Sequence, residues 1–553
     1  MLFEEEYYRN WEYLLSYFNE RGVRLASLPL PPPKIGSIDD NFRTTDAYYT
    51  TLLSKGKVHS IDEYLDAEHE ERIEELQSMP IRTLDSVWWP FSQHGLVKGP
   101  EEVNVIDSAL GDFFSIFRHN DKGNLLQPQF DGSASWWTQT FGHSNTSLAI
   151  AAARAAGRYG HVMFPQSVHL PALKLAETLL KKGPGRAWAS RVFFSDDGST
   201  AMEIAIKMAI RAYCVRNGLG LDEAEKQQLG ILGLKGSYHG DTIGAMDACY
   251  AGDGVYTCEW HSAKGFWFDP PSIQVRKGRA TISVPSSILG NTGSVCAPSE
   301  FEMDSIPRLY DVESRLKSRL ALCYQRYIQE ALEKLDEKGA PRLAALIIEP
   351  LILGAGGMLF VDPLFQRVLV DVAREHYSKD SPDSENSWKG LPVIFDEVFV
   401  GLYRTGWESC IPVLGVEPDI AVYAKTLTGG LVPLSVTLAN KSIFEAFLSD
   451  DKADALLHGH SYTAHALGCE VANESLALMK KLSTSDAWAG MQRKWKDGAQ
   501  SPEGMWSYWD PTFINDLSCL PNVESVMTLG TVLAIKVRDE DQGKSVHMTI
   551  IPA

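Results

Sequence analysis

The chain has 553 residues, 44 % of them apolar and 22 % charged, enough for roughly two to four globular domains and too apolar for a disordered or fibrous chain. Its 52 Lys+Arg against 71 Asp+Glu give a net charge of −19, which repels phosphate backbones and anionic lipid headgroups and argues against nucleic-acid and membrane-surface partners. Eight cysteines, at 214, 249, 258, 296, 323, 410, 469 and 519, never form C-x-x-C, so they read as reduced thiols; a metal site is not expected.

The amino end, MLFEEEYYRN, is acidic and lacks the order of a signal peptide or the Arg/Ser bias of a transit peptide. A helical, aromatic stretch from Phe3 to Asn19 precedes the apolar run Val23 to Leu30 and then Pro31-Pro32-Pro33, which no helix or central strand accommodates. Between Ser60 and Gln77 the charges cover most faces of an expected helix, which suits a solvated connector. Residues 1 to 84 therefore read as a tail or linker region.

Beyond it, short apolar runs alternate with helical stretches: Arg191 to Ser195, Ile231 to Leu234, Ala344 to Glu349, Val393 to Asp396 and Asp419 to Lys425. Near-continuous apolar strands between helices predict an α/β fold with a mainly parallel sheet covered on both faces. All are far shorter than the ~20 residues of a membrane span. The spacing predicts a helix from Ser199 to Arg216, with Ile204, Met208 and Ala212 on one stripe, and another from Ala466 to Lys480. The polar insertion Asp380 to Ser387 reads as a surface loop.

In an open parallel sheet, ligands sit beyond the carboxyl ends of the strands, so the polar residues following each run carry the functional reading. After the first run come Asp196-Asp197-Gly198-Ser199-Thr200 and a helix start, where backbone N–H groups can hold a phosphate; Ser199 or Thr200 acting only as a helix cap is the alternative. Asp396 ends one strand and Lys425 another. Pyridoxal phosphate needs this pair, a lysine for the Schiff base and an acid for the pyridine nitrogen, although a plain buried ion pair has the same pattern. Tyr238, in Tyr238-His239-Gly240-Asp241, is placed either to stack on a planar ring or simply to pack. The loop His458-Gly459-His460-Ser461-Tyr462-Thr463 offers a second anion site. Trp88-Trp89-Pro90-Phe91 and Trp136-Trp137 read either as core or oligomer anchors or as walls of a substrate pocket. Gly354-Ala355-Gly356-Gly357 lacks the order of a dinucleotide loop.

Taken together, WWPFSQH at 88–94, GSASWWTQTFGH at 132–143, FFSDDGSTAMEIAIKMA at 193–209, YHGDTIGAM at 238–246, IIEPLILGAGGM at 347–358, FDEVFVGLYRTG at 395–406 and AKTLTGG at 424–430 resemble the class III, ornithine-type aminotransferases that use pyridoxal 5'-phosphate. The resemblance covers about 85 to 535. It implies the fold type I transferase architecture, a mainly parallel seven-stranded large domain with a smaller α+β domain, in an obligate homodimer. It divides the chain into 1–84, 85–150 (small-domain start and pocket loops), 151–470 (large, cofactor-binding) and 471–553 (carboxyl-terminal small domain).

Position by position, the resemblance makes Lys425 the Schiff-base lysine and proton shuttle, Asp396 the partner of the pyridine nitrogen and Tyr238 the stacking ring. Gly198 and Ser199 would bind the phosphate, joined by Gly459, His460 and Ser461 of the partner subunit. Phe91, Trp136 and Asp241 would face the substrate. The SWW and LTGG variants resemble the branch that serves biotin synthesis, which implies S-adenosylmethionine as amino donor, 7-keto-8-aminopelargonate as acceptor and, from eukaryotic relatives, a mitochondrial location.

Residues 1 to 35 resemble the tail of a dethiobiotin synthetase, without the G-x-x-x-x-G-K-[ST] loop of an ATP site. The end, KSVHMTIIPA, does not resemble the family's carboxylate-binding arginine segment, which implies a shortened small domain and weaker substrate anchoring. The rival readings are a class III enzyme for ω-amino acids or ornithine, and a catalytically silent scaffold.

Overall fold

The computed structural model describes residues 61–120, 123–220, 222–252, 257–290, 298–339, 341–378, 388–496, 504–539 and 544–550. The expected helix Phe3 to Asn19, the run Val23 to Leu30 with its prolines, the likeness of residues 1 to 35 and the insertion Asp380 to Ser387 lie outside the described residues. Two units divide the described residues: one takes those up to Val105 with 119–120 and 123–124, the other the rest.

In the first unit, α1 (Ile61–Ser86) is the charged helix expected from Ser60 onward, extended past Gln77 through Pro80. Of its side chains, Leu76 is buried. The aromatic run that follows closes on His94: the Trp89 ring stacks on it at 5.3 Å, and the Trp89 N–H donates to its Nε2 at 3.0 Å.

The second unit is organised by a seven-stranded sheet. Its strands are β4 (Arg191–Ser195), β5 (Leu229–Leu234), β6 (Gly265–Phe268), β10 (Arg342–Ile348), β13 (Val393–Asp396), β14 (Ile420–Tyr423) and β15 (Ser435–Ala439), in the order β4-β15-β14-β13-β10-β5-β6. All neighbours pair in parallel except β15, which runs against both β14 and β4. The expected mainly parallel seven-stranded sheet is thus present. The runs at 191–195 and 393–396 coincide with their strands, while β5 and β10 start two residues earlier, because Arg342 and Leu343 pair with Leu229 and Gly230.

Alternation along these strands explains why they are apolar throughout. Ile231, Ala345, Ile347, Ile394, Ile420 and Val422 pack under α4 (Gly198–Arg216), whose Ala201, Met202, Ile204, Ala205, Met208, Ala209 and Ala212 are buried. Leu232, Leu346, Ile348, Val393, Phe395, Ala421 and Tyr423 point to the opposite layer, with Leu364, Phe365, Val368 and Leu369 of α6 (Pro363–His376). A strand buried on both faces has no room for a polar row, so its polar groups collect at its ends.

A second, antiparallel sheet joins distant parts of the chain. Its order is β18-β17-β16-β7-β8-β9, with β7 (Ser272–Arg276), β8 (Arg279–Ser283) and β9 (Glu300–Met303) beside β16 (Val523–Leu529), β17 (Val532–Asp539) and β18 (Lys544–Ile550). The end of the chain therefore continues as an edge strand through Ile550; its side chains lie outside the described residues.

At the start of α6, Asp362 is fully buried and accepts both Arg315 Nη groups at 2.8 Å and the Tyr324 hydroxyl at 3.0 Å. Removing one partner of such a pair strands a charge in the core. Arg315→Met is expected to destabilise the fold by about 3–5 kcal/mol, read as a drop in the denaturant midpoint.

Candidate active site

The carboxyl ends of β5, β10, β13 and β14 bring four polar residues together. After β14 the chain tightens into a short 3-10 turn, Lys425–Thr428, closed by Gly429 at φ +63°. Lys425 itself has φ +49°, a strained setting for a long side chain that persists only when the surroundings enforce it. Its amine lies 5.1 Å from the Trp137 ring centre and 5.7 Å from that of Phe399. Burial pushes this amine down to about 8, against the pull of Asp396 and Glu349 toward the charged form; Arg404 adds to the lowering. Half of the Lys425 amines are therefore neutral near pH 8. Acylation of Lys425 in the cofactor-free chain, followed by peptide mass spectrometry, is expected to rise with a midpoint near pH 8; a midpoint near 10.5, the ordinary lysine value, would contradict it.

Asp396 ends β13 and is buried. One oxygen meets His239 Nδ1 at 2.8 Å and the other accepts the Val398 N–H at 3.1 Å. Burial alone lowers His239, but the hydrogen bond and charge of Asp396, with the charge of Glu349, leave it raised. Glu349 follows β10 and accepts the N–H groups of Tyr238 at 2.7 Å and Gly354 at 3.0 Å. Burial, then the nearby Asp396 charge, raise this carboxyl. Gly354 begins the loop of a two-stranded hairpin, Ile352–Leu353 with Leu359–Phe360, so the glycine run serves Glu349 and that turn.

The α4 end is built around Asp197, which caps the helix by accepting the Thr200 N–H at 2.9 Å. Neither Ser199 nor Thr200 is the cap. The Ser199 hydroxyl is instead 2.9 Å from the Thr242 hydroxyl and accepts the Thr242 N–H at 3.0 Å. Gly240, at φ +128°, lies so close that a Cβ there would fall 2.1 Å from Ser199 Oγ; only glycine lets these two loops meet. Asp197 satisfies one first-turn donor, and the same first turn carries the N–H groups of Gly198 and Ser199, which the helix itself leaves without an intrahelical acceptor.

Other expected residues are more exposed. Asp241 is exposed, as are Gly459 and Ser461, while His460 Nε2 stands 3.8 Å from Asp196 within the same chain. Trp136 is 56 % exposed, and it is its neighbour Trp137 that faces the amine. Phe91, at φ +53° and 60 % exposed, belongs to the first unit.

Four further groups had no role in the sequence reading. Two are His239 and Glu349, which flank Asp396 and Tyr238. Arg404 is buried and donates from Nη2 to the carbonyls of Trp137 and Gln139 at 3.0 and 2.9 Å; burial lowers it to about 10. Glu397, raised to about 7 by burial, accepts the Tyr423 hydroxyl and the Cys410 N–H, each at 2.9 Å. Glu349 was open to discovery, since it follows an apolar run as Asp396 does. Arg404 lies in an irregular stretch and carried no local signal.

Residues 123–277 and 289–501 match the family described as aminotransferase class-III. The chain belongs to this family. As a class-III aminotransferase it uses pyridoxal phosphate, and the residues present fit that group: a lowered lysine amine, a buried carboxylate held by histidine, and a glycine-lined helix start. This class-III aminotransferase is 44 % identical over 558 residues to a bifunctional dethiobiotin synthetase/adenosylmethionine-8-amino-7-oxononanoate aminotransferase of Emericella nidulans, covering 98 % of this chain and 70 % of that protein. It is 40 % identical to a bifunctional dethiobiotin synthetase/7,8-diamino-pelargonic acid aminotransferase, mitochondrial, of Oryza sativa, covering 98 % of this chain but 62 % of that one. The fold is shared with the crystal structure of an adenosylmethionine-8-amino-7-oxononanoate aminotransferase from Methanocaldococcus jannaschii, at TM-score 0.60, 22 % identity and coverage of 85 % and 86 %.

Proposed function

We propose that this chain transfers the amino group of S-adenosylmethionine to 7-keto-8-aminopelargonate, giving 7,8-diaminopelargonate for biotin synthesis. The single observation that carries the reading is the alignment of nearly the whole chain, at 44 % identity, with a protein named for that transfer, on a site whose Lys425 and Asp396 have the chemistry it needs.

Bound pyridoxal phosphate supplies the carbonyl that receives and returns the amino group, and a ring that takes up electrons. Lys425 would hold it covalently, and its Nζ would move a proton at the amine-bearing carbon of the substrate. Asp396 would keep the ring nitrogen protonated, with His239 fixing its orientation and the Glu349 clamp on the Tyr238 N–H setting the ring that stacks above. The N–H groups of Gly198 and Ser199 would hold the phosphate, completed by Gly459, His460 and Ser461 of the partner subunit in a homodimer. Trp136 and Asp241 would face the substrate. The rice relative is named as mitochondrial, and we place this chain in the same compartment.

The test is an amino-donor panel with the cofactor-loaded protein and 7-keto-8-aminopelargonate, read by mass spectrometry of the product. Diaminopelargonate formed with S-adenosylmethionine supports the reading. Product formed only with ornithine or an ω-amino acid would replace it with the broader class III activity.

A further inference from the structure

Four consecutive non-glycine residues, Ala134, Ser135, Trp136 and Trp137, have φ values of +46°, +48°, +60° and +64°. A left-handed turn costs an L-residue about 1–2 kcal/mol per position, so a run of four exists only if its surroundings over-determine it. The surroundings are visible. Asp131, 4 % exposed, accepts the Ser135 hydroxyl at 2.8 Å and the Ser133 hydroxyl at 3.1 Å, and meets His143 Nε2 at 2.9 Å. Its own backbone N–H is tied to the Asp112 carbonyl at 2.8 Å. Within the turn, the Trp137 N–H reaches the Ser133 carbonyl at 2.7 Å and the Thr138 hydroxyl donates to the Ser135 carbonyl at 3.0 Å. At the far end, Arg404 holds the carbonyls of Trp137 and Gln139.

The product of all this strain is one placement. The Trp137 ring is set 5.5 Å from Phe399, edge to face, and 5.1 Å from the Lys425 amine. A right-handed backbone would swing both indoles away. We propose that Asp131 is a positioning residue for the substrate side of the Lys425 site: through Ser133, Ser135 and His143 it locks the left-handed turn that keeps Trp137 over the amine. Asp131 touches no reacting atom; it decides how well substrate is held and how well water is kept from the amine. This rests on the amino-transfer reading given above.

Asp131→Asn keeps the shape of the side chain but removes the charge that strengthens its three hydrogen bonds. In the cofactor-loaded enzyme its KM for the keto acceptor is expected to rise about 10-fold, with kcat within about 3-fold of wild type. In the cofactor-free chain the pH midpoint of Lys425 acylation is expected to move up by about one pH unit, because water gains access to the amine. Ser135→Ala removes a single hydrogen bond and keeps the fold should the first variant not; it is expected to shift both readouts the same way by a smaller amount. A lower melting temperature with unchanged KM and unchanged midpoint in both variants would reduce Asp131 to a structural residue and overturn the proposal. Since the midpoint needs no substrate, failure of wild type to transfer amino groups would overturn the functional reading, not this one.

Discussion

Lys425→Ala is expected to lower amino transfer by about 10⁴-fold or more, because in the proposed function one side chain would both hold the cofactor and move the proton. The fold should survive. Burial outweighs the attraction of Asp396 and Glu349 and lowers the amine to about 8, so on balance the native state disfavours its charge, and among the described residues no close ion pair is lost with it. Unchanged far-ultraviolet circular dichroism and melting temperature alongside lost turnover is the expected pattern. Turnover within 100-fold of wild type would mean that another base does the work.

Asp396→Asn is expected to cost about 10²–10³-fold in kcat, the usual loss when one preorganised electrostatic partner of the reacting system is neutralised. An amide there still reaches the Val398 N–H and His239, so geometry is preserved and the charge is what changes. His239 is raised by the bond to and charge of Asp396; in the variant it should titrate lower, which proton-detected histidine resonances would report. A variant with kcat within threefold of wild type would show that the buried carboxylate is only structural.

Much of this centre was legible because parallel sheets bury both faces and push polar groups to strand ends. The run Val393-Ile394-Phe395 points at Asp396, and Ile420 to Tyr423 points at Lys425, with no structure in hand. The same rule applied to Ile347-Ile348 names Glu349. The helix from 198 to 216 is readable from Ile204, Met208 and Ala212, but neither hydroxyl that the sequence offers as an alternative cap is used: Asp197 does that work, and Ser199 is drawn away by Thr242.

Other features depend on partners far along the chain. The second sheet pairs Val526 with Val275, a contact that neither segment announces locally. Arg404 carries no local sign of burial; the fold wraps Trp137, Gln139 and Thr531 around it. The left-handed turn at Ala134–Trp137 is the opposite of what these residue types prefer, so propensity points away from it; only the meeting of Asp131, Ser135 and His143 makes it intelligible.

The most direct measurement is borohydride reduction of the purified chain after incubation with pyridoxal phosphate, followed by peptide mapping for the lysine that carries the reduced cofactor. A single modified peptide containing Lys425, absent from Lys425→Ala, is expected. Modification of a different lysine, or none, would contradict it.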